Sequence, residues 1–590
     1  MWIMRLPAVL IVLLACALYL PFVSHPFIAL DDGPLIIENP AVKAITGETL
    51  RAIFTSYDPE LYIPLTFLSY QLNYALAGLQ PWIYHVSNLL LHIGSALLVL
   101  GIVTKLSGSL ATGALTALLF TSHPIQTEAV LWASARKDTL SSFFFLLAMW
   151  LYLRPESARP QRVALVALAF LLGLLAKVSV ITFPFVLLLI DWYQGKRIDR
   201  RTLLGKIPYF LLVLLFGIIA FYGKRETLSD AGPLVTLLLA LKGVVYALGK
   251  VFIPLQFSVF YPQVTPVTLS TLEFLVPLFS ILALAGFTAW VFFVRSQHPL
   301  LRLAAFSASW YVLTVLPNAT NIMKSGLFFF SSDRSVYLAA IGIFFLVARI
   351  AQRTRMAVLV SAVLLFTLAP LTALQAHTWK SSEALFRHAT TLYPSCAICW
   401  NSLGHVLHTE QGRSEEALVM FREAYRLEPT FIRSITNIGN VEHILGNSDA
   451  AIDAFQKAIA IVEQRGARGL DDLTPYYYLG EIEESLGHDA AALSHFIRAT
   501  EIGDRFGEPF FNLGIQYHKR GRTEEAVIAY RAALERDPLY IPAHYHLAAL
   551  YAERGKLDAA IPELQEVLRL DPGHTKAREH LENIRQLKGL

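Results

Sequence analysis

Apolar runs dominate the first 376 residues. Eleven approach the length of a bilayer span and are expected as helices near 7–23, 83–104, 108–122, 139–153, 162–176, 178–194, 207–222, 270–294, 301–317, 335–351 and 357–375. The stretch 162–194 is continuous apart from Lys177. A further apolar segment, 234–253, contains Lys242 and Lys250 and stops at Pro254. Counting it as a crossing would invert the basic loops that follow, so it is expected to lie in the membrane interface. The run from Pro7 to Val23 follows a single charge, Arg5, as a signal peptide does. No convincing small-residue cleavage site comes after it, so it is expected to remain as a first transmembrane helix.

Beyond residue 376 the pattern becomes repetitive. Ser402-Leu403-Gly404, Asn437-Ile438-Gly439, Tyr478-Leu479-Gly480, Asn512-Leu513-Gly514 and His546-Leu547-Ala548 open successive units, their middle residues 35, 41, 34 and 34 apart. Ala451, Ala492, Ala526 and Ala560 recur downstream, as do Phe421, Phe455, Phe496 and Tyr530; Pro429, Pro538 and Pro572 close three units. This resembles the tetratricopeptide repeat, with its period of about 34. The longer step puts an insertion near 461–472, expected between helices. A lone helix pair cannot bury its apolar face; stacking does, and leaves a concave groove. These Leu, Ala and Phe positions therefore read as packing.

Charge sharpens the division. Residues 1–376 carry 41 Asp, Glu, Lys and Arg, about 11% of the segment, with a net charge of +11. Residues 377–590 carry 53, about 25%, the usual soluble value, with a net charge of −7. A single soluble globule and a bare membrane bundle are both excluded. The overall +4 is a cancellation, and no Lys/Arg block with interleaved aromatics is present, so no nucleic-acid partner is expected. The expected organisation is all-α: a polytopic membrane domain, 1–376, of about eleven helices, then an α-solenoid of about five repeats, 377–590. Basic residues collect in the loops around Lys105, Arg154, Lys196–Lys206, Arg295, Arg302 and Arg349–Arg355. That side is expected to be cytoplasmic, which places the repeats outside the cytoplasm.

Candidate chemistry lies in the loops of the other side, since ionisable groups at membrane depth are costly and mark function. Asp31-Asp32 follow the first span. Adjacent carboxylates there could raise one pKa, bind a cation or take a proton from an acceptor hydroxyl, or they could cap a loop helix in solvent. The segment from His123 to Asp138 holds Glu128, Arg136 and Lys137 besides, and its two cations could hold a phosphate; the alternative is a loop of internal ion pairs. Lys177 and Asp333-Arg334 lie at the same level, whereas Lys224 and Arg225 read as interface anchors. Cys396 and Cys399 form one CxxC, read first as packing, with an oxidised pair or a metal site as the alternatives. Asn318-Ala319-Thr320 is a lone glycosylation sequon.

The strings Tyr62-Ile63-Pro64-Leu65-Thr66, Asn73-Tyr74, Gly78-Leu79-Gln80-Pro81 and Tyr84-His85-Val86-Ser87-Asn88 with His92 carry a resemblance. So do Asp31-Asp32 with Asn39, His123-Pro124 with Thr127-Glu128-Ala129-Val130, Arg136-Lys137-Asp138, Ala176-Lys177, Leu189-Ile190-Asp191 and Asp333-Arg334. Their order resembles the transmembrane-plus-tetratricopeptide O-mannosyltransferase family and its bacterial relatives, which look like GT-C glycosyltransferases. The resemblance implies transfer of mannose from a polyprenyl-phosphate carrier to Ser or Thr hydroxyls on the non-cytoplasmic side. It implies Asp31 or Asp32 as catalytic base, with Arg136, Lys137, Lys177 and Arg334 toward the donor phosphate. His85, His123, Glu128, Asp138 and Asp333 would shape the site. It prescribes no metal and no other cofactor. The implied partners are membrane lipids, the lipid-linked sugar and an acceptor polypeptide in the repeat groove. A bacterial inner membrane with periplasmic repeats is expected, or else the endoplasmic reticulum with luminal repeats. One base and a charged leaving group suit inversion, since retention would need a second, nucleophilic carboxylate. Ile63 and Ser335 depart from the family, which usually carries Arg and Tyr there. The competing readings are a membrane-anchored repeat scaffold and a lipid-linked sugar transporter.

Overall fold

A computed structural model describes residues 5–55, 57, 61–154, 160–224, 232–294, 298–319, 323–324, 327–466, 470–503 and 507–589. Thr320 of the sequon, Arg225, and residues 467–469 of the expected insertion lie outside them, as does the Lys224 side chain.

The chain divides into two compact units: Met1–Glu38 with Arg51–Pro394, and Asn39–Leu50 with Ser395–Leu590. The break falls at Pro394–Ser395, not at 376. The helices Ala357–Thr378 and Ser382–Leu392 both belong to the first unit.

In the first unit each of the eleven expected apolar helices is present. Among the described residues six helices are long and apolar enough to cross a membrane: Arg5–Phe22, Pro81–Ser107, Pro233–Phe252, Leu272–Phe293, Pro299–Asn318 and Ala357–Thr378. Five more are apolar but shorter, Leu110–Ser122 and Val178–Tyr193 among them. This is a multi-pass membrane architecture. Among the described residues, the helices Pro64–Ala77 and Ser382–Leu392, the short helices Thr127–Leu131 and Arg200–Leu204, and Gly47–Thr55, which starts in the second unit, were not expected. Pro64 opens the first of these at its first turn, where proline is pre-organised for a helix.

The bundle has two distinct ends. The helix Arg136–Tyr152 has 17 residues, about 25 Å at 1.5 Å per residue. Its first turn carries Lys137 and Asp138, and it finishes at Tyr152, whose hydroxyl donates to Asp191 at 2.6 Å. The chain from Lys177 to Tyr193 runs the same way.

Pro233–Phe252 has the length of a span, but its contacts lie at the Lys137 end. Lys242 pairs with Glu273 at the start of Leu272–Phe293. The Val244 carbonyl accepts from the Tyr311 hydroxyl at 2.7 Å, and the Val251 carbonyl lies 3.0 Å from His123 Nε2. A Cβ on Gly243 would fall 1.9 Å from the Phe330 carbonyl oxygen, so glycine is needed for the approach.

The second unit is a stack of five helix pairs closed by the helix Thr575–Lys588. Ala417, Ala451, Ala492, Ala526 and Ala560 are all fully buried, and Phe421, Phe455, Phe496 and Tyr530 fill the space between paired helices. The pair Ile432–Ile444 and Ser448–Arg465 turns at Gly446, whose φ of 85° favours glycine. The expected insertion does not lie wholly between helices: Ser448–Arg465 has 18 residues where Ser414–Leu427, Thr523–Arg536 and Leu557–Leu570 have 14, so the longer helix takes up part of the long step. Asn39–Leu50 packs in this unit, where Arg569 pairs with Glu48 and donates to Thr46 Oγ1 at 3.2 Å.

Cys396 and Cys399 are buried and form a disulfide, the oxidised pair that stood as the alternative to packing alone. Cys396 sits with extended backbone ahead of the helix Ala397–Thr409, bringing the two Cα atoms to 5.3 Å, within bridging range.

Candidate functional site

The site is built at one end of the bundle, where helices of the first unit stop and short turns take over. Apolar helices cannot carry charges through hydrocarbon, so the ionisable residues collect where the spans end.

Asp31 and Asp32 follow the first helix and precede a wide turn closed by the Glu38 amide on the Gly33 carbonyl at 2.9 Å. Asp32 is fully buried. Its Oδ1 accepts from the Ser134 amide at 2.8 Å and from the Ser134 hydroxyl, and its Oδ2 accepts from the Ile28 amide at 2.9 Å. Burial pushes its pKa up to about 6, against the pull of those donors. Its oxygens are spent on holding the loop Ala133–Ala135 against the first helix's exit. Asp31 points the other way. Its side chain is 41% exposed, and its Oδ2 meets Lys137 Nζ at 3.1 Å.

Lys137 and Arg334 both lie against Trp132, at 5.8 Å and 4.7 Å from the ring centre. The Arg334 guanidinium pairs with Glu128, and the Arg334 amide donates to Glu128 Oε2 at 3.1 Å. Arg334 Nε lies 4.0 Å from Asp138 Oδ2, while Asp138 Oδ1 accepts from Lys177 Nζ at 2.6 Å. Asp31, Glu128 and Asp138 thus interleave with Lys137, Arg334 and Lys177, three charges of each sign. Asp138 Oδ2 is buried and accepts no hydrogen bond.

Lys177 and Arg334 line one cleft together with Asn318, Ser331, Ser332 and Ser335. Ser332 Oγ is also buried without a hydrogen-bond partner. Ser335, where the resembled family usually carries Tyr, donates to the Ser332 carbonyl at 2.6 Å. Ile63, the other departure, is buried beside the N-terminus of Pro64–Ala77. Asp333 is buried and accepts from the Tyr261 hydroxyl at 2.6 Å. Burial and the nearby Glu128 charge hold its carboxyl well above the usual range. Among the described residues no group of three or more His, Cys, Asp or Glu stands close enough to hold a metal ion.

Three expected site residues are turned into the scaffold. Arg136 is buried, and its donors go to Asn88, to Ser69 Oγ at 3.2 Å and to the Tyr84 carbonyl at 2.7 Å. It pins Pro81–Ser107 and Pro64–Ala77 to its own helix and does not line the Lys177–Arg334 cleft. One residue is about 100° of helix, so Lys137 and Arg136 face different ways. His123 accepts from the Ile125 amide at 3.2 Å and faces the Val251 carbonyl at 3.0 Å. Burial lowers its pKa to about 4. His85 is buried in the second turn of Pro81–Ser107, and neither of its ring nitrogens has a hydrogen-bond partner among the described residues. Sequence reading missed Ser134, Trp132 and Tyr261, which organise the charges.

Tetratricopeptide repeat families match residues 431–504 and 511–575. Human protein O-mannosyl-transferase TMTC3 is 25% identical over 545 residues, covering 82% of this chain and 58% of its own length. Drosophila melanogaster protein O-mannosyl-transferase Tmtc3 is 26% identical over 489 residues, covering 68% and 52%. Mouse protein O-mannosyl-transferase TMTC2 reaches 36% over 158 residues, 25% of this chain and 18% of its own. This chain spans about half the length of the TMTC3 relatives. Taken with the helical bundle and the repeats, these matches make the chain a homologue of the TMTC protein O-mannosyl-transferases.

Proposed function

We propose that the protein is a membrane glycosyltransferase that transfers a sugar, mannose by its relatives' names, from a polyprenyl-phosphate carrier to Ser or Thr hydroxyls of a polypeptide. The observation that carries this is the coupling of a half-exposed carboxylate, Asp31, through Lys137 and Trp132 to a cleft lined by Arg334 and Lys177. That arrangement supplies a base at one side and cations for a phosphate at the other.

In this reading Asp31 accepts the proton of the acceptor hydroxyl as that oxygen attacks C1 of the sugar. The C1–O bond to the carrier breaks, and its electron pair leaves with the polyprenyl phosphate. Lys177 and Arg334 neutralise the charge that grows on the leaving oxygen. Lys137 holds Asp31 in place. Ser332 Oγ, which lines the cleft and is buried without a hydrogen-bond partner, is placed to bond the donor. Asp32, fully committed to Ser134 and Ile28, positions the loop. A single base predicts inversion at C1. The repeats hold the acceptor chain. The Cys396–Cys399 disulfide favours an oxidising compartment for them, the bacterial periplasm first and the endoplasmic reticulum lumen second.

The test is label transfer from radiolabelled polyprenyl-phosphate mannose to a Ser/Thr-rich peptide by the purified protein beside Asp31→Asn. Transfer lost in the variant with folding intact supports the reading. Silence of the wild type with mannose and with a panel of other lipid-linked sugars would remove it.

A further inference from the structure

The far end of the bundle carries a second cluster that the transfer chemistry does not use. The helix Phe183–Tyr193 delivers Trp192 and Tyr193 there, and Asp191 just before them is buried. Asp191 is saturated: it accepts from Lys196 at 2.8 Å, Lys206 at 2.9 Å and the Tyr152 hydroxyl at 2.6 Å. The neighbouring charges carry no such compensation. Arg302 donates to the carbonyls of Trp192 at 2.7 Å and Tyr193 at 3.2 Å, which neutralises none of its charge. Tyr193 packs on Phe345 at 6.1 Å, and Arg349 and Arg353 follow Phe345 at one-turn steps along and just past the helix Ala340–Ala351, so all three arginines gather around Tyr193. Neither Arg349 nor Arg353 makes a side-chain hydrogen bond or ion pair among the described residues, and Arg353 is exposed. Beside them lies an aromatic shelf. Trp192 stacks on Phe292 at 5.7 Å, and Phe292, Phe293 and Trp290 are 45%, 79% and 52% exposed on a helix apolar enough to cross a membrane.

We propose that Arg302, Arg349 and Arg353 form a binding site for the phosphate of an anionic membrane phospholipid, with its acyl chains lying on the Trp192–Phe292 shelf. Three guanidiniums with no ion-paired carboxylate among the described residues offer an anion their forked donors, which match phosphate oxygens. The exposed aromatic surface beside them is placed for chains in the bilayer, where aromatic side chains sit at headgroup level. A soluble phosphate would use the arginines but gain nothing from the shelf. The site is separate from the Asp31 cleft and does not depend on the transfer reaction.

The test uses the full-length chain in a zwitterionic detergent, titrated with phosphatidylglycerol, phosphatidylcholine or glycerol 3-phosphate. Retained lipid is read by native mass spectrometry and stabilisation by apparent melting temperature. The expected result is phosphatidylglycerol adducts and a rise in melting temperature, no such effect of phosphatidylcholine, and at least threefold weaker phosphatidylglycerol retention in Arg349→Gln/Arg353→Gln. Arg353→Gln alone, altering an exposed side chain, guards against a folding failure and should weaken retention by a smaller factor. Equal retention of both lipids, or retention unchanged in both variants, overturns the proposal. Glycerol 3-phosphate binding as tightly as the lipid would overturn the lipid assignment.

Discussion

Asp31 and Lys137 meet at 3.1 Å across a separation of 106 residues, and Asp31 keeps two-fifths of its side chain open while the lysine is almost wholly covered. The ammonium is thus fixed and the carboxylate is the part that can reach a substrate. Asp31→Asn should cut transfer by about 10²–10⁴-fold, the usual range for a lost general base, and leave the melting temperature within a degree or two. Rates at saturating donor and acceptor, with a melting curve on the same preparation, check both halves.

Asp32 should behave in the opposite way. An amide at position 32 would set an NH2 against one of the donors from Ser134 or Ile28, costing on the order of 2 kcal/mol. Asp32→Asn should lower the melting temperature measurably, and any activity loss should follow the loss of folded protein.

The same residue gives a pH signature. Its folded-state pKa of about 6 stands above the ordinary 3.8, so the folded protein binds the proton first. The charged form is the penalised one. Asp32 therefore weakens the fold above about pH 6, and this penalty is relieved as pH falls toward 4. The difference in melting temperature between wild type and Asp32→Asn, followed from pH 7.5 to 4, should change across that window. A constant difference would contradict the buried, proton-hungry environment described for it.

Arg136 and Lys177 separate scaffold from cleft. Arg136→Lys forfeits a planar fork that serves three acceptors and should destabilise by about 2 kcal/mol or more, with donor KM unchanged in the folded fraction. Lys177→Met should raise donor KM and lower kcat, because Lys177 lines the cleft. Initial-rate kinetics over a donor titration distinguish the two.

In the repeats, Gly439→Ala sets a helix-propensity gain of about 1 kcal/mol against a steric cost. The added Cβ would lie 2.7 Å from the Phe455 ring, which is fully buried and has nowhere to go. Overpacking costs about 1–3 kcal/mol, so the variant should unfold earlier, as measured by circular dichroism on the full chain.

The repeats were legible because their period is written in residues that all do the same job: Gly439 leaves room for Phe455 as Gly480 does for Phe496. The apolar spans were legible for the same reason, since length and hydropathy alone decide them. The ranking of Asp31 over Asp32 was not, because it depends on Ser134 and Lys137, which the fold brings from more than 100 residues away. Arg136 beside Lys137 was hidden by the helix turn between neighbours, which no spacing rule exposes in a loop of unknown start. Pro64–Ala77 was missed because its Tyr70, Gln71 and Asn73 disguise a buried helix face as a polar loop.

The chain leaves the first unit after Glu38, contributes Asn39–Leu50 to the second, and returns at Arg51. Its partner there, Arg569, is made more than 500 residues later. At roughly 5–20 residues per second this stretch waits on the order of a minute for the helices it joins. Biogenesis is therefore not a matter of finishing one half and appending the other. An early stretch must be kept unclaimed until the last repeats emerge, and trimming the tail would remove the partner of Thr46 and Glu48.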